Sequence, residues 1–256
     1  MSLEAIRHWT AARVHAVQAT AAKAATPWHD HDHLVLGLVD WGVRVIALRD
    51  ARLEVGAGEG FVLPPHVAHR CFDCGGVDYR VLCLDDPAPP ALRPGWGRIA
   101  SPDWRSAFER TFALAVGGEG ALVEALATLT PLTASITGAF ASPPAIEPRA
   151  VRQARRDLFA DLARRKTLRS LANGAGLSPF HLERLYVRYT GLTPRQQQTL
   201  ARLRQVRTLL GEGVGLSEAA AACGFADQSH LNRVFKRLMG VAPGRYRAQV
   251  GAVNRA

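Results

Sequence analysis

Residues 178–194, "SPFHLERLYVRYTGLTP", lie over residues 227–243, "DQSHLNRVFKRLMGVAP", at an offset of 49, and this internal repeat constrains the fold more than any other feature. Leu182, Leu185, Tyr186 and Tyr189 have the i, i+3, i+4, i+7 spacing of one buried helix face, and Leu231, Val234, Phe235 and Leu238 repeat it. Ser178 and Asp227 are both N-capping types, since a short side-chain oxygen can accept from an orphan N–H of the first turn. Gly191 and Gly240 fit the helix ends, and Pro194 and Pro243 follow three residues later. Upstream of each copy stands a shorter helical stretch, "LRSLANGAGLS" and "LSEAAAACGFAD". In these, Ala172 precedes Gly176 by four and Ala220 precedes Gly224 by four, the second turn being one residue longer. Two helices joined by a glycine turn, present twice, predict two helix-turn-helix units. Between them "PRQQQTLARLRQVRTLL" predicts one helix from Pro194 to Leu210, a strut of about 25 Å at 1.5 Å per residue.

Charge falls on the same region. The net charge is +10, yet from Arg149 onward there are 20 Lys/Arg against 6 Asp/Glu, and before it 12 against 16. Such asymmetry points to a polyanion for the C-terminal part alone, the alternative being a plain solvated basic surface. On a helical projection the face opposite Leu231, Phe235 and Leu238 holds Ser229, Asn232, Arg233, Lys236 and Arg237, flanked by Gln228 and His230. Amide, hydroxyl and guanidinium groups near a helix N-terminus suit base edges in the major groove, while Lys236 and Arg237 are better placed for phosphates. The first copy offers Phe180, His181, Glu183 and Arg184, of which the aromatic can touch a thymine methyl and the carboxylate can accept from cytosine N4. The strut suggests that one chain reads successive major grooves, about 34 Å apart.

At these residues the chain resembles the DNA-binding domain of the AraC/XylS family of bacterial transcription regulators. The resemblance covers residues 150–248 and rests on "LANGAGLSPFHLERLYVRYTGLTP" and "LSEAAAACGFADQSHLNRVFKRLMGVAPGRYR". The family ending is present as Gly224-Phe225, Ser229, Phe235-Lys236, Gly240, Pro243 and Tyr246-Arg247. Leu231 and Tyr186 stand where relatives commonly have Phe, and both keep a large apolar group on the buried face. The resemblance implies promoter DNA and RNA polymerase as partners, a homodimer, and no enzymatic activity.

The front of the chain reads differently. Residues 28–85 alternate short apolar runs with Gly, Pro and Asp, which predicts an all-β sandwich or barrel. "DDPAPPALRPGWG" (85–97) reads as its exit. Residues 103–116 and the stretch "EGALVEALATLTPL" predict two helices, taken as a dimer surface, and "ASPPAIEP" (141–148) reads as a linker. The expected fold class is α+β: a cupin-like β-barrel over 1–95, a helical linker or dimerisation segment over 96–148, and an all-α double helix-turn-helix domain over 149–256.

"PWHDHDHLVLG" and "PPHVAHRCFDC" hold the remaining chemistry. As a strand, the first would place His29, His31 and His33 on one face, and His69 with Cys71 could face them from another strand. Imidazole and thiolate donors suit a divalent transition metal such as Zn²⁺, with His29, His31 and His69 as its candidate ligands. The additional His33, His66, Cys71 and Cys74 favour a metal, the alternative being histidines that orient an organic effector. These stretches resemble the two half-motifs of cupin barrels. Val35 stands at the usual Glu of the first, and the second is present as Gly60, Pro64 and His69 with His66 replacing a glycine. The resemblance implies a sensor domain whose effector pocket includes His29, His31, His33, Trp41 and His69, the effector being a small molecule or a metal. A metal-dependent cupin enzyme with a DNA-binding tail is the competing class, and the missing Glu at position 35 argues against it. A generic architectural DNA binder is a third.

The N-terminus lacks the apolar core of a secretory signal and no segment approaches a membrane span, so a cytoplasmic protein is expected. Four cysteines, Cys71, Cys74, Cys83 and Cys223, fit that compartment as thiols.

Overall fold

The computed structural model describes residues 6–11, 14–22, 25–73, 75–84, 96–117, 122–132 and 147–253. It divides into two compact units, Met1–Ala141 with Ala248–Ala256, and Ser142–Arg247. Cys74, most of the 85–97 exit and residues 141–146 of the linker lie outside the described residues.

The first unit is built on β1 (Ile6–Ala11), β2 (Val14–Ala22), β3 (Leu34–Trp41), β4 (Val43–Leu48), β5 (Arg52–Gly56), β6 (Gly60–Leu63), β7 (His69–Asp73), β8 (Val77–Leu84) and β9 (Gly97–Ile99). The larger sheet has the order β1-β2-β8-β3-β6-β9, the smaller β5-β4-β7, and every pairing is antiparallel. Alternate residues sort to two cores, as the pleat requires. Val35, Val39, Phe61, Leu63, Val81 and Cys83 of the larger sheet meet Ile46, Leu48, Leu53, Val55 and Cys71 of the smaller one inside the barrel. On the opposite face of the larger sheet, Leu34, Leu36, Leu38, Val62 and Leu82 pack with Trp104, Phe108, Phe112 and Leu129. These last belong to α1 (Pro102–Gly117) and α2 (Leu122–Leu132). Both helices therefore share a core with the sheet, and the segment expected over 96–148 is continuous with the barrel through α2.

Two glycines make this packing possible. A Cβ at Gly60 would stand 2.1 Å from the Trp104 ring, and one at Gly37 would stand 2.0 Å from the Phe61 ring. The first of these is the opening glycine of the second cupin half-motif, so its role here is to let α1 lie on the sheet.

Strands β1 and β2 precede the predicted strand region. Their alternation is interrupted by a bulge between Ala19 and Ala22, where Ala21 takes a positive φ of 49°, and alanine has little intrinsic preference for a strand.

The second unit is helical: α3 (Arg149–Phe159), α4 (Leu168–Gly174), α5 (Pro179–Thr190), α6 (Pro194–Gly211), α7 (Leu216–Ala222), α8 (Gln228–Met239) and the start of α9 (Pro243–Val253). Val151, Ala154 and Leu158 of α3 pack with Leu171, Ala172, Leu182 and Tyr186. In the second half Leu231, Val234, Phe235 and Tyr246 are buried. The two short turns are built alike. Leu177 N–H donates to Ala172 O and Phe225 N–H to Ala220 O, each at 2.9 Å, around Gly176 at φ 67° and Gly224 at φ 71°. This double closure ends a helix by turning one residue left-handed, which glycine does without penalty. Ser178 and Asp227 then cap α5 and α8 by accepting from His181 N–H and His230 N–H. The strut α6 starts in a capping box between Thr193 and Gln196, and its 18 residues follow the predicted span closely.

Candidate DNA-binding surface and barrel site

The two second helices of the pairs present the residues the repeat singled out. Phe180, His181 and Arg184 of α5 are exposed and Glu183 is half-buried. On α8, Gln228, Ser229, Arg233, Lys236 and Arg237 are exposed and Asn232 is half-buried. Phe180 is 74% exposed, and the Arg184 guanidinium lies over its ring at 5.8 Å. That contact holds an aromatic edge and a cation together at the start of α5. His230 is used otherwise: its Nδ1 accepts from Ala226 N–H at 3.4 Å and its ring stands edge-on to Phe225 at 5.4 Å. Its position is fixed by the turn, leaving Nε2 as its donor.

In the barrel, residues 29–33 form a loop before β3 rather than the strand expected, with Asp30 buried in it. One residue of the loop pairs as a strand would. His29 and His69 exchange both backbone hydrogen bonds at 2.9 Å, which brings their rings to 4.3 Å between centroids. His31 lies 4.9 Å from the His29 ring and 5.2 Å from the His69 ring, and His33 stacks on His31 at 5.0 Å. The ligand atoms of His29, His31 and His69 all lie within 4.8 Å of one another. His31 is held from behind, its carbonyl accepting from His66 N–H at 2.6 Å. His66 adopts φ 63°, so it takes a left-handed conformation where the cupin half-motif has glycine.

The protonation state of the pair suits coordination. His29 Nδ1 donates to Pro27 O and His69 Nδ1 donates to Val67 O, each at 2.8 Å, which leaves Nε2 of each ring as the bare nitrogen. Burial lowers the His29 pKa, against the hydrogen bond to Pro27. Burial, then the neighbouring His29, lowers His69 well below its ordinary value. Both rings are thus neutral at pH 7. The three imidazoles fit a transition-metal ion, and Val35, buried in the core, supplies no carboxylate to it.

Trp41 does not join this histidine cluster. It follows an irregularity in the β3–β8 register after Val39 and is 60% exposed at the hairpin tip. The barrel interior instead holds Arg44, which sequence reasoning missed. Its Nη1 donates to Asp73 at 3.0 Å and its guanidinium lies 3.7 Å from the Tyr79 ring centroid. Burial opposes this cation, and Cys71, Tyr79 and Asp73 together outweigh it, so it stays charged. The signal was available: Arg44, Ile46 and Leu48 share one face of β4 by their spacing of two.

Comparisons with known proteins agree with both halves. Residues 171–249 match the helix-turn-helix domain family, and residues 14–85 match the AraC-like ligand binding domain family. The chain is therefore an AraC-type DNA-binding transcriptional regulator with an N-terminal ligand-binding domain. It is similar to the uncharacterized HTH-type transcriptional regulator YbfI of Bacillus subtilis (strain 168), 28% identical over 225 residues, which span 80% of this chain and 81% of YbfI. It is 35% identical over 81 residues to the bifunctional transcriptional activator/DNA repair enzyme Ada of Escherichia coli (strain K12). That match spans 32% of this chain and only 23% of Ada. Among solved structures, ToxT from Vibrio cholerae O395 shares the fold with a TM-score of 0.59 at 12% identity, over 93% of this chain and 98% of ToxT. Among the described residues no helix is long and apolar enough to cross a membrane.

Proposed function

We propose that this regulator reads promoter DNA with α5 and α8 together, and that a small effector or metal ion held at His29, His31 and His69 adjusts its DNA affinity. The base-reading groups are Phe180, Glu183 and Arg184 of α5 and Gln228, Ser229, Asn232 and Arg233 of α8. Lys236 and Arg237 meet phosphates, and His181 and His230 border the contact. The observation that carries the DNA reading is the exposure of these groups on two capped helices of a strongly basic unit. For the barrel it is the pair of backbone carbonyls that fixes His29 and His69 with Nε2 bare. An ion bound there supplies Lewis acidity and an anchoring charge to whatever else enters the pocket. His33 borders that pocket. The effector acts only through a difference in its contacts between two states of the protein, since equal binding to both shifts nothing.

The protein works in the cytoplasm as a homodimer, with RNA polymerase as its partner at the promoter. Val123, 76% exposed on α2, supports an apolar contact between copies. ToxT has been crystallised with an unsaturated fatty acid, which supports an organic effector as the second occupant of the barrel.

The test has two arms. Selection from a random duplex library with the full chain should enrich a two-part site, and a chain that enriches none is not the regulator described here. Isothermal titration of metal-stripped protein with Zn²⁺ should show one site per chain, abolished in His29→Ala and His69→Ala. Zn²⁺ should then change affinity for the selected duplex. Absence of binding removes the metal from this account and leaves the organic effector.

A further inference from the structure

The two helix-turn-helix pairs are joined by more than the α6 strut. Arg202, on the middle of α6, spends its guanidinium on three backbone carbonyls. Nε donates to Leu162 O at 2.7 Å and Nη2 to Ala163 O at 3.3 Å, in the loop between α3 and α4. Nη1 donates to Gly224 O at 2.8 Å, in the turn between α7 and α8. One turn earlier on α6, Gln198 Nε2 donates to Arg164 O at 2.9 Å and fastens the same loop. The loop and the second turn also touch directly: a Cβ at Gly224 would stand 2.1 Å from Ala163 O. At the other end the loop continues α3, whose Val151, Ala154 and Leu158 are packed into the core of α4 and α5. A continuous path of contacts thus runs from α5 through α3 and the loop to Arg202, and from Arg202 to the turn that launches α8.

We infer that Arg202 is a positioning residue, which locks the second helix-turn-helix onto the first and so fixes the spacing and angle at which α5 and α8 meet DNA. Only arginine offers donors in a planar fork able to bridge carbonyls from two segments, and a lysine ammonium is a single point on a flexible stem. A strut alone fixes the distance between its ends but leaves the outer pair free to swivel. The clamp removes that freedom. Two grooves of one duplex then have to be presented at one spacing, because each inserted base pair displaces the second groove by about 3.4 Å and turns it by about 34°.

This inference rests on the DNA reading above, so its first test uses no DNA. Spin labels are placed at Arg188→Cys and Arg237→Cys, in a Cys74→Ser background; Cys71, Cys83 and Cys223 are buried. The labels report the α5-to-α8 distance by pulsed dipolar spectroscopy on the full chain. The wild-type residue at 202 should give one narrow distribution, and Arg202→Met a broad or split one. The second test uses the duplex selected by the wild-type chain, with zero, one or two base pairs inserted at its centre. Wild type should lose at least tenfold in affinity for the first insertion. Arg202→Met should bind the uninserted duplex about tenfold more weakly and lose less than threefold on insertion. Should Arg202→Met lose its helical circular dichroism, Arg202→Lys decides by the same two measurements, with intermediate values expected. A narrow distance distribution together with an unchanged insertion penalty in the folded variant overturns the inference. Failure of the selection counts against the DNA reading alone, since the label distances judge the clamp without it.

Discussion

Arg44, His33 and His69 of the barrel are 5%, 4% and 2% exposed, whereas Arg184, Gln228 and Arg233 of the helical unit face solvent. The two halves thus hold their polar chemistry in opposite ways. In the barrel a charge or an imidazole is kept by partners that replace water: Asp73 and Tyr79 for Arg44, and the Pro27 and Val67 carbonyls for His29 and His69. On the helices the caps and the buried stripe hold the backbone, and the side chains stay hydrated until a partner arrives. A group desolvated in advance responds to protons and to the fit of a ligand, while a hydrated cation responds to salt.

Salt gives the widest separation of the two. A protein that neutralises about 6–10 phosphates loses roughly 10³–10⁵ in DNA affinity between about 50 and 200 mM salt. Electrophoretic mobility shifts should show a loss of that order for the full chain, with Lys236→Ala lowering the salt slope by about one. Zn²⁺ titrations of the barrel over the same range should change less than threefold.

Acid should do the reverse. His29 and His69 have depressed values in the fold and ordinary ones near 6.5 when unfolded, so the unfolded chain binds more protons below about pH 6.5. Stability from these two is full above about pH 6.5 and falls as pH drops towards the folded values, by up to about 1.4 kcal/mol per pH unit for each histidine. All five tryptophans, Trp9, Trp28, Trp41, Trp96 and Trp104, lie in the first unit. Denaturant unfolding of metal-free protein followed by tryptophan emission therefore isolates the barrel, and a midpoint unchanged between pH 7.5 and 5.5 would break the contrast.

Arg233→Ala should remove about 1–3 kcal/mol of specific affinity while sparing nonspecific binding. The same variant should leave tryptophan emission and Zn²⁺ titration as they were. The smallest effect belongs to the barrel loop. His66→Gly relieves a left-handed residue that costs roughly 1–2 kcal/mol, offset in part by the greater freedom of glycine when unfolded. The net gain should be about 0.5–1 kcal/mol in chemical denaturation, and a loss of stability would show that the His66 side chain matters more than its backbone.

The same difference explains what could be read in advance. The helical unit is made of local signals: Ser178, Asp227, Gly176 and Gly224 act within a few residues of themselves, and the buried stripes repeat every turn. The barrel is made of distant ones. That His29 meets His69, and that Arg44 meets Asp73, depends on strand pairing across some 30–40 residues, which no local spacing encodes. Pro27, Asp30 and Asp32 keep the histidine segment out of a strand, because proline cannot donate to a ladder and aspartate disfavours strands, although the His-x-His-x-His spacing alone suits one. Trp41 stands outside the barrel interior because the register slips just before it, which the sequence spacing does not reveal. The clamp at Arg202 was hidden for the same reason, as its partners lie 40, 39 and 22 residues away.

The second turn has one residue more than the first. In the first pair Leu177 completes the helix stop and Ser178 begins the next cap at once, whereas Ala226 stands between Phe225 and Asp227. The extra alanine is exposed and sits after one helix has been closed and before the next is opened. Neither ladder nor either apolar stripe is shifted by it. This joint is where a duplicated module can lengthen its bend by single-residue insertion, retuning how the later helix is tilted without rewriting its surface.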